Sequence, residues 1–107
     1  MLDVRPGTLT VISGQAAIDP DGSVSSSDFA EQSHHTLRNC LDQLAAAGCT
    51  AADVFKVNVY VTDLANWPAF NEVYRDYLPE PRPVRTAVQT ALLEGLLVEV
   101  EMWAVRP

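Results

Sequence analysis

Basic residues are scarce in this chain. Lysine and arginine together number 7, against 14 aspartates and glutamates, leaving a net charge of −7. The cations form no cluster. A phosphate backbone meets net repulsion, so nucleic acid is not an expected partner. Cysteine is nearly absent too. Cys40 and Cys49 are the only two, and they form no Cys-x-x-Cys redox or metal motif. Both are expected to be unpaired thiols that pack as small apolar groups. No apolar run approaches the ~20 residues that span a bilayer. Met1 to Gly7 carries no apolar signal-peptide region. A membrane is therefore not an expected partner, and the cytoplasm is the expected location. No repeat, linker or low-complexity tract interrupts the sequence. With 107 residues, 48% of them hydrophobic, the chain suits a single domain, 1–107, that buries a core without disulfides.

Hydrophobic periodicity then places the elements. Leu2–Arg5 and Thr8–Gln15 read as two strands joined at Pro6-Gly7, a turn pair. Asp19-Pro20-Asp21-Gly22 reads as a second turn. A helix is predicted from Asp28, which with Glu31 has the spacing of a capping box. Phe29, Leu37, Cys40, Leu41 and Leu44 form its apolar stripe, and Gly48 ends it. Val54–Thr62 alternates, with Phe55, Val57, Val59 and Val61 on one face. Asp63–Leu78 reads as a second helix, with Asn66 near its cap and Pro68 in its first turn. Phe70, Val73, Tyr74 and Tyr77 form its packing stripe. Pro79, Pro81 and Pro83 prevent the helix from continuing.

The last quarter carries the chemistry. Val84–Gln89 and Val98–Trp103 both alternate with period 2. Arg85, Ala87 and Gln89 share one face of the first; Glu99, Glu101 and Trp103 share one face of the second. If the two strands pair, a guanidinium fork and two carboxylates meet on one sheet surface. Arginine grips a carboxylate with parallel hydrogen bonds, and glutamate holds or activates a water. That set suits a small organic acid with a reactive centre. A structural Arg–Glu pair across two strands accounts for the same spacing.

The element order ββαβαββ indicates an α+β domain with two helices on one face of a mixed sheet. The other face mixes charged, aromatic and aliphatic residues, which suits cover by further copies of the chain. Other candidate sites are thin. Glu31 and His35 are i,i+4 neighbours without a third ligand nearby, so a solvated helix face is expected and no metal. Asp19 and Asp21 lack the rest of a calcium loop. Trp67 is expected in packing or at a rim. Ser13 has no nucleophile elbow around it.

Taken in order, a series of short motifs is similar to one family. They are Ser13-Gly14-Gln15 with Asp19-Pro20, Asn39, Ala46-Ala47-Gly48, Asp53-Val54 and Val61-Thr62-Asp63. Phe70-Asn71-Glu72-Val73-Tyr74, Pro83-Val84-Arg85 and Val98-Glu99-Val100-Glu101 follow. The chain resembles the Rid family of reactive imine/enamine deaminases, also known as the YjgF or L-PSP endoribonuclease family, from Leu9 to Val105.

The resemblance implies a chorismate-mutase-like (bacillary type) fold, a homotrimer, and clefts between subunits. It implies hydrolysis of 2-imino or 2-enamino acids to 2-keto acids and ammonia, with no metal or cofactor. Arg85 matches the family arginine that binds the substrate carboxylate. Glu99 matches the glutamate that positions the attacking water. Ser13, Gly14 and Gln15 match a segment of the pocket wall, and Asn71 matches a pocket asparagine. Ala87 stands where many members have cysteine. The cleft tyrosine of an N-terminal Gly-Pro-Tyr-Ser-type segment has no match here. Binding of a small carboxylate metabolite without turnover is the runner-up reading. RNA cleavage, the family's older association, fits an acidic chain least.

Overall fold

The computed structural model describes all 107 residues. Four strands form one mixed sheet: β1 (Thr8–Gln15), β2 (Val54–Val61), β3 (Val84–Gln89) and β4 (Val98–Arg106). Two helices, α1 (Phe29–Ala46) and α2 (Trp67–Arg75), connect them. The sheet order is β1-β4-β2-β3. β4 runs antiparallel to both β1 and β2, and β3 runs parallel to β2. The parallel pair needs a crossover, which α2 supplies.

One apolar cluster lies between the sheet and the helices. α1 gives Leu37, Cys40 and Leu44, α2 gives Phe70, Val73 and Tyr74, and the sheet gives Val57, Val59, Val61, Val98, Val100 and Met102. Burial raises the Cys40 thiol to about 12, so it stays protonated and packs as an apolar group. Both cysteines are buried and unpaired. No helix is long and apolar enough to cross a membrane.

Asp28 caps α1, accepting from the Glu31 backbone N–H at 2.9 Å. The reciprocal half of the capping box does not form. Glu31 instead accepts from Ser26 Oγ, which in turn accepts from the Asp28 N–H at 3.0 Å. At the other end Gly48 takes φ +77°. Its N–H bonds Ala45 O at 3.0 Å, and the Cys49 N–H bonds Leu44 O at 2.9 Å. The second predicted helix is broken near its start. Asp63 caps a 3-10 turn at Leu64–Asn66, and the α-helix begins at Trp67 with Pro68 in its first turn.

Three expectations need correction. Leu2–Arg5 is not a strand. The chain bends at Pro6-Gly7 and passes the start of β2, where Leu2 to Pro6 line a groove with Ala52 to Phe55 and Pro81. β1 is paired only with β4, so the observed order is βαβαββ. Phe55 does not share the core face with Val57. A bulge between Val54 and Lys56 turns Val54 inward instead. Finally, β3 and β4 are not neighbours, because β2 lies between them.

Candidate active site

β3 is an edge strand aligned to β2 so that Arg85 stands opposite Val57, Ala87 opposite Val59, and Gln89 opposite Val61. Paired residues share a sheet face, and the three valines face the core. Arg85, Ala87 and Gln89 therefore lie on the helix side. The Val84 and Val88 side chains go to the open side, opposite Lys56 and Tyr60. At an edge the helices give thin cover, so the helix side can take polar residues there.

What covers Arg85 is α2. Trp67 and Tyr74 are seven residues apart, two turns along one helix face. The Arg85 guanidinium carbon lies 4.5 Å from each ring centroid. Two cation–π contacts hold the fork in place. Trp67 is itself stacked on Phe70 at 5.3 Å. Burial lowers the Arg85 pKa, with the Tyr74 hydroxyl opposing and the Arg82 charge adding to that shift. Arg85 Nη1 is buried without a partner in the chain, as are Tyr74 Oη and Asn71 Oδ1. Asn71 sits between Trp67 and Tyr74 on the same helical stripe. Buried polar atoms are nearly always paired in folded proteins. Arg85 Nη1 and Tyr74 Oη, neighbours in this clamp, thus have no hydrogen-bond partner within the chain.

Glu99 belongs to a different wall. It stands opposite Tyr60, on the open face. Its carboxylate rests on the backbone of Gly14: a Cβ at Gly14 would come within 2.6 Å of Glu99 Oε2. Only glycine gives the carboxylate that space. The β1–β4 register shifts between Ile12 and Gln15, at Ser13-Gly14. Gln15 Nε2 donates to Ser13 O at 3.1 Å, bracing the bulge. Asn39 on α1 donates to Ala16 O at 2.9 Å and fixes the strand's exit. Gln32, fully buried on α1, anchors the loop before Glu99. It donates to Ser26 O and Gly95 O at 2.8 Å and accepts from the Leu97 N–H at 2.9 Å. Sequence reasoning missed Gln32; its signal was a glutamine within a turn of the apolar stripe.

Glu101 shares the open face with Glu99 but is already engaged. It accepts from Asn58 Nδ2 at 3.1 Å and Tyr60 Oη at 2.7 Å. The hydrogen bond to Glu101 raises the Tyr60 pKa.

The expected residues thus form two groups. Gly14 and Glu99 come together on the open side of the sheet, next to exposed Ser13, while Gln15, paired with the core residue Val100, takes the helix side. Arg85 and Ala87 lie on the helix side, where Arg85 packs under α2, the helix that carries Asn71. The two groups do not meet within one chain, which corrects the expectation that Arg85 and Glu99 share a surface. Trp67 was expected in packing or at a rim and Tyr74 in packing; the structure adds that they clamp Arg85. The histidines are held elsewhere: His35 Nδ1 lies 2.7 Å from Ser25 Oγ, and His34 Nδ1 lies 2.9 Å from Tyr77 Oη. No three metal-binding side chains converge.

The endoribonuclease L-PSP family matches residues 3–106. The chain belongs to this family, the Rid proteins. A RutC family protein of Pyrococcus horikoshii is 37% identical over 92% of this chain and 79% of its own length. The human 2-iminobutanoate/2-iminopropanoate deaminase is 36% identical over 89% of this chain and 71% of its own. Among solved structures, RidA of an Antarctic Psychrobacter has a TM-score of 0.87 at 37% identity, covering 96% of this chain and 85% of that one. Escherichia coli TdcF with bound serine has a TM-score of 0.85 at 32% identity, with coverage of 97% and 85%. This Rid chain shares their mixed sheet with two helices, and the family includes named imine deaminases.

Proposed function

We propose that this Rid protein hydrolyses 2-imino or 2-enamino acids to 2-keto acids and ammonia, without metal or cofactor, in clefts between the subunits of a cytoplasmic homotrimer. One observation carries the reading. Arg85 and Glu99 sit on opposite sides of one sheet, each beside an incomplete pocket wall. A second copy of the chain can present its Glu99 wall to the Arg85 wall of the first. The open face supplies the apolar surface for such packing, with Leu9, Val11 and Val88 exposed.

The chemistry follows from the parts. Arg85 takes the substrate carboxylate with its free donor edge, already desolvated and held by two rings. Fixing that end orients the imine carbon and removes much of the entropic barrier. Glu99, over Gly14, holds a water and accepts its proton as the water oxygen bonds to the imine carbon. Glu99 passes that proton to nitrogen, giving a carbinolamine; it then takes the hydroxyl proton and delivers it to nitrogen as the carbonyl forms and the C–N bond breaks, so ammonia leaves and the keto acid remains. Asn71 offers an acceptor to the substrate N–H. Ser13 shapes the Glu99 wall, braced by the Gln15 bond to its carbonyl, and Ala87 keeps the space beside Arg85 small-sided.

The test is keto-acid release from imines made in situ by an amino-acid oxidase, with buffer as the control because free imines hydrolyse unaided. Acceleration over buffer is expected. Keto-acid binding without acceleration, for several imino acids, would favour the runner-up: a carboxylate-binding protein that uses Arg85 without turnover.

A further inference from the structure

The contact between Gly14 and Glu99 joins the end of β1 to the start of β4, and α1 ties down both strands there. Leu97, two residues before Glu99, gives its N–H to Gln32 Oε1 at 2.9 Å. Ala16, two residues after Gly14, accepts from Asn39 Nδ2 at 2.9 Å. Gln32 and Asn39 are both on α1, seven residues or two turns apart on one helix face. Each reaches backbone rather than another side chain.

A brace is needed because the sheet does not supply one. The β1–β4 ladder is interrupted between Ile12 and Gln15. Across that bulge, ladder hydrogen bonds do not set the gap between Gly14 and Glu99. Gln32 is suited to set it. It is fully buried, and a buried amide is costly unless its polar atoms are paired. Its Nε2 donates to Ser26 O and to Gly95 O, both at 2.8 Å, which uses both of its hydrogens. The side chain cannot turn without breaking bonds to the approach of α1 and to the β3–β4 loop together.

We propose that Gln32 and Asn39 are positioning residues for Glu99: an amide pair on α1 that fixes where its carboxylate stands over Gly14, and so where it holds the water. This rests on the reading that Glu99 accepts the water's proton. Arg85 lies on β3 under Trp67 and Tyr74 of α2, outside both ties. Loosening a tie should therefore slow the chemical step and spare carboxylate binding. A general loss of packing would not separate the two.

Steady-state imine hydrolysis, with the buffer rate subtracted, and calorimetry with a 2-keto acid test this on the assembled protein. Gln32→Met keeps the length of the side chain but strands two carbonyls and one N–H. Its kcat should fall by about tenfold to 10²-fold, the cost of misplacing a reacting group by up to about 1 Å. KM and keto-acid affinity should stay at the wild-type value. Asn39→Ala removes a single bond at a half-buried position and should lower kcat by less, again without a change in KM. It carries the comparison if Gln32→Met does not fold. Leu44→Ala is the control: it takes core packing from the same helix and touches neither tie, so it should lower stability and leave kcat unchanged. An unchanged kcat in the tie variants would overturn the proposal and leave the Glu99 reading standing. So would an equal loss of keto-acid affinity, or a kcat loss that Leu44→Ala reproduces. Wild-type protein that gives no acceleration over buffer would overturn the Glu99 reading and this inference with it.

Discussion

Arg85 and Glu99 point to opposite faces of the same sheet, separated by β2. One is clamped under α2 by Trp67 and Tyr74; the other lies over Gly14 on the uncovered face. A site that needs both is completed only when one chain's open face meets another chain's β3 edge.

The first prediction concerns the clamp. Arg85→Ala should nearly abolish binding of a small 2-keto acid, by about 2–5 kcal/mol, the range seen when a desolvated charge loses its partner. Arg85→Lys should weaken it less. Trp67→Leu keeps the charge but removes one ring, and should cost about 0.5–2 kcal/mol of affinity. Calorimetry reads all three. An unchanged affinity in Arg85→Ala would place the carboxylate elsewhere.

Glu99 gives the second. Glu99→Gln keeps the shape but cannot accept the water's proton, so turnover should fall by about 10²–10⁴-fold while keto-acid binding persists. Gly14→Ala should reproduce part of this loss without touching the carboxylate chemically, because its Cβ would come within 2.6 Å of Glu99 Oε2 and displace it. Steady-state kinetics with a wild-type rate in Gly14→Ala would show that the position of Glu99 does not matter.

Assembly is the third. Light scattering at micromolar concentration should report three chains. Val88 is 42% exposed on the open face, opposite Tyr60. Val88→Asp should lower the assembly state and the turnover together while circular dichroism stays native. A stable wild-type monomer would remove the shared cleft.

The fourth concerns alkaline stability. Tyr60 is raised by its hydrogen bond to Glu101, and Tyr74 is raised to about 12 by burial. Both hold their protons more tightly folded than unfolded, where tyrosine titrates near 10. Their contribution is complete below pH 10. Above it the unfolded chain releases protons first, so stability falls with rising pH until the folded groups titrate. Denaturation midpoints should therefore drop between pH 10 and 12, and the drop should shrink in Tyr60→Phe. A flat midpoint across that window in the wild type would contradict the assignment.

Much of the fold was legible along the chain. The stripe Leu37, Cys40, Leu44 marked α1, Asp28 and Gly48 marked its ends, and the alternation of Val57, Val59 and Val61 marked a central strand. These signals are local: caps, periods and turn residues act within a few positions. The motifs around Ser13, Asn71, Arg85 and Glu99 were likewise readable as a set. Alternation also showed that Arg85, Ala87 and Gln89 share a face. It could not say which face, because a period of two is symmetric and β3 has polar residues on the side that meets the core. Only pairing with β2, residue for residue from Val57 to Arg85, made that choice. The same holds for Phe55, turned by a bulge that no local pattern announces, and for Leu2–Arg5, which runs beside the start of β2 and leaves the free edge of β1 unpaired. Local chemistry determined which elements form. Which side each faces, and so which residues can meet, was decided by hydrogen-bond register between segments far apart in sequence.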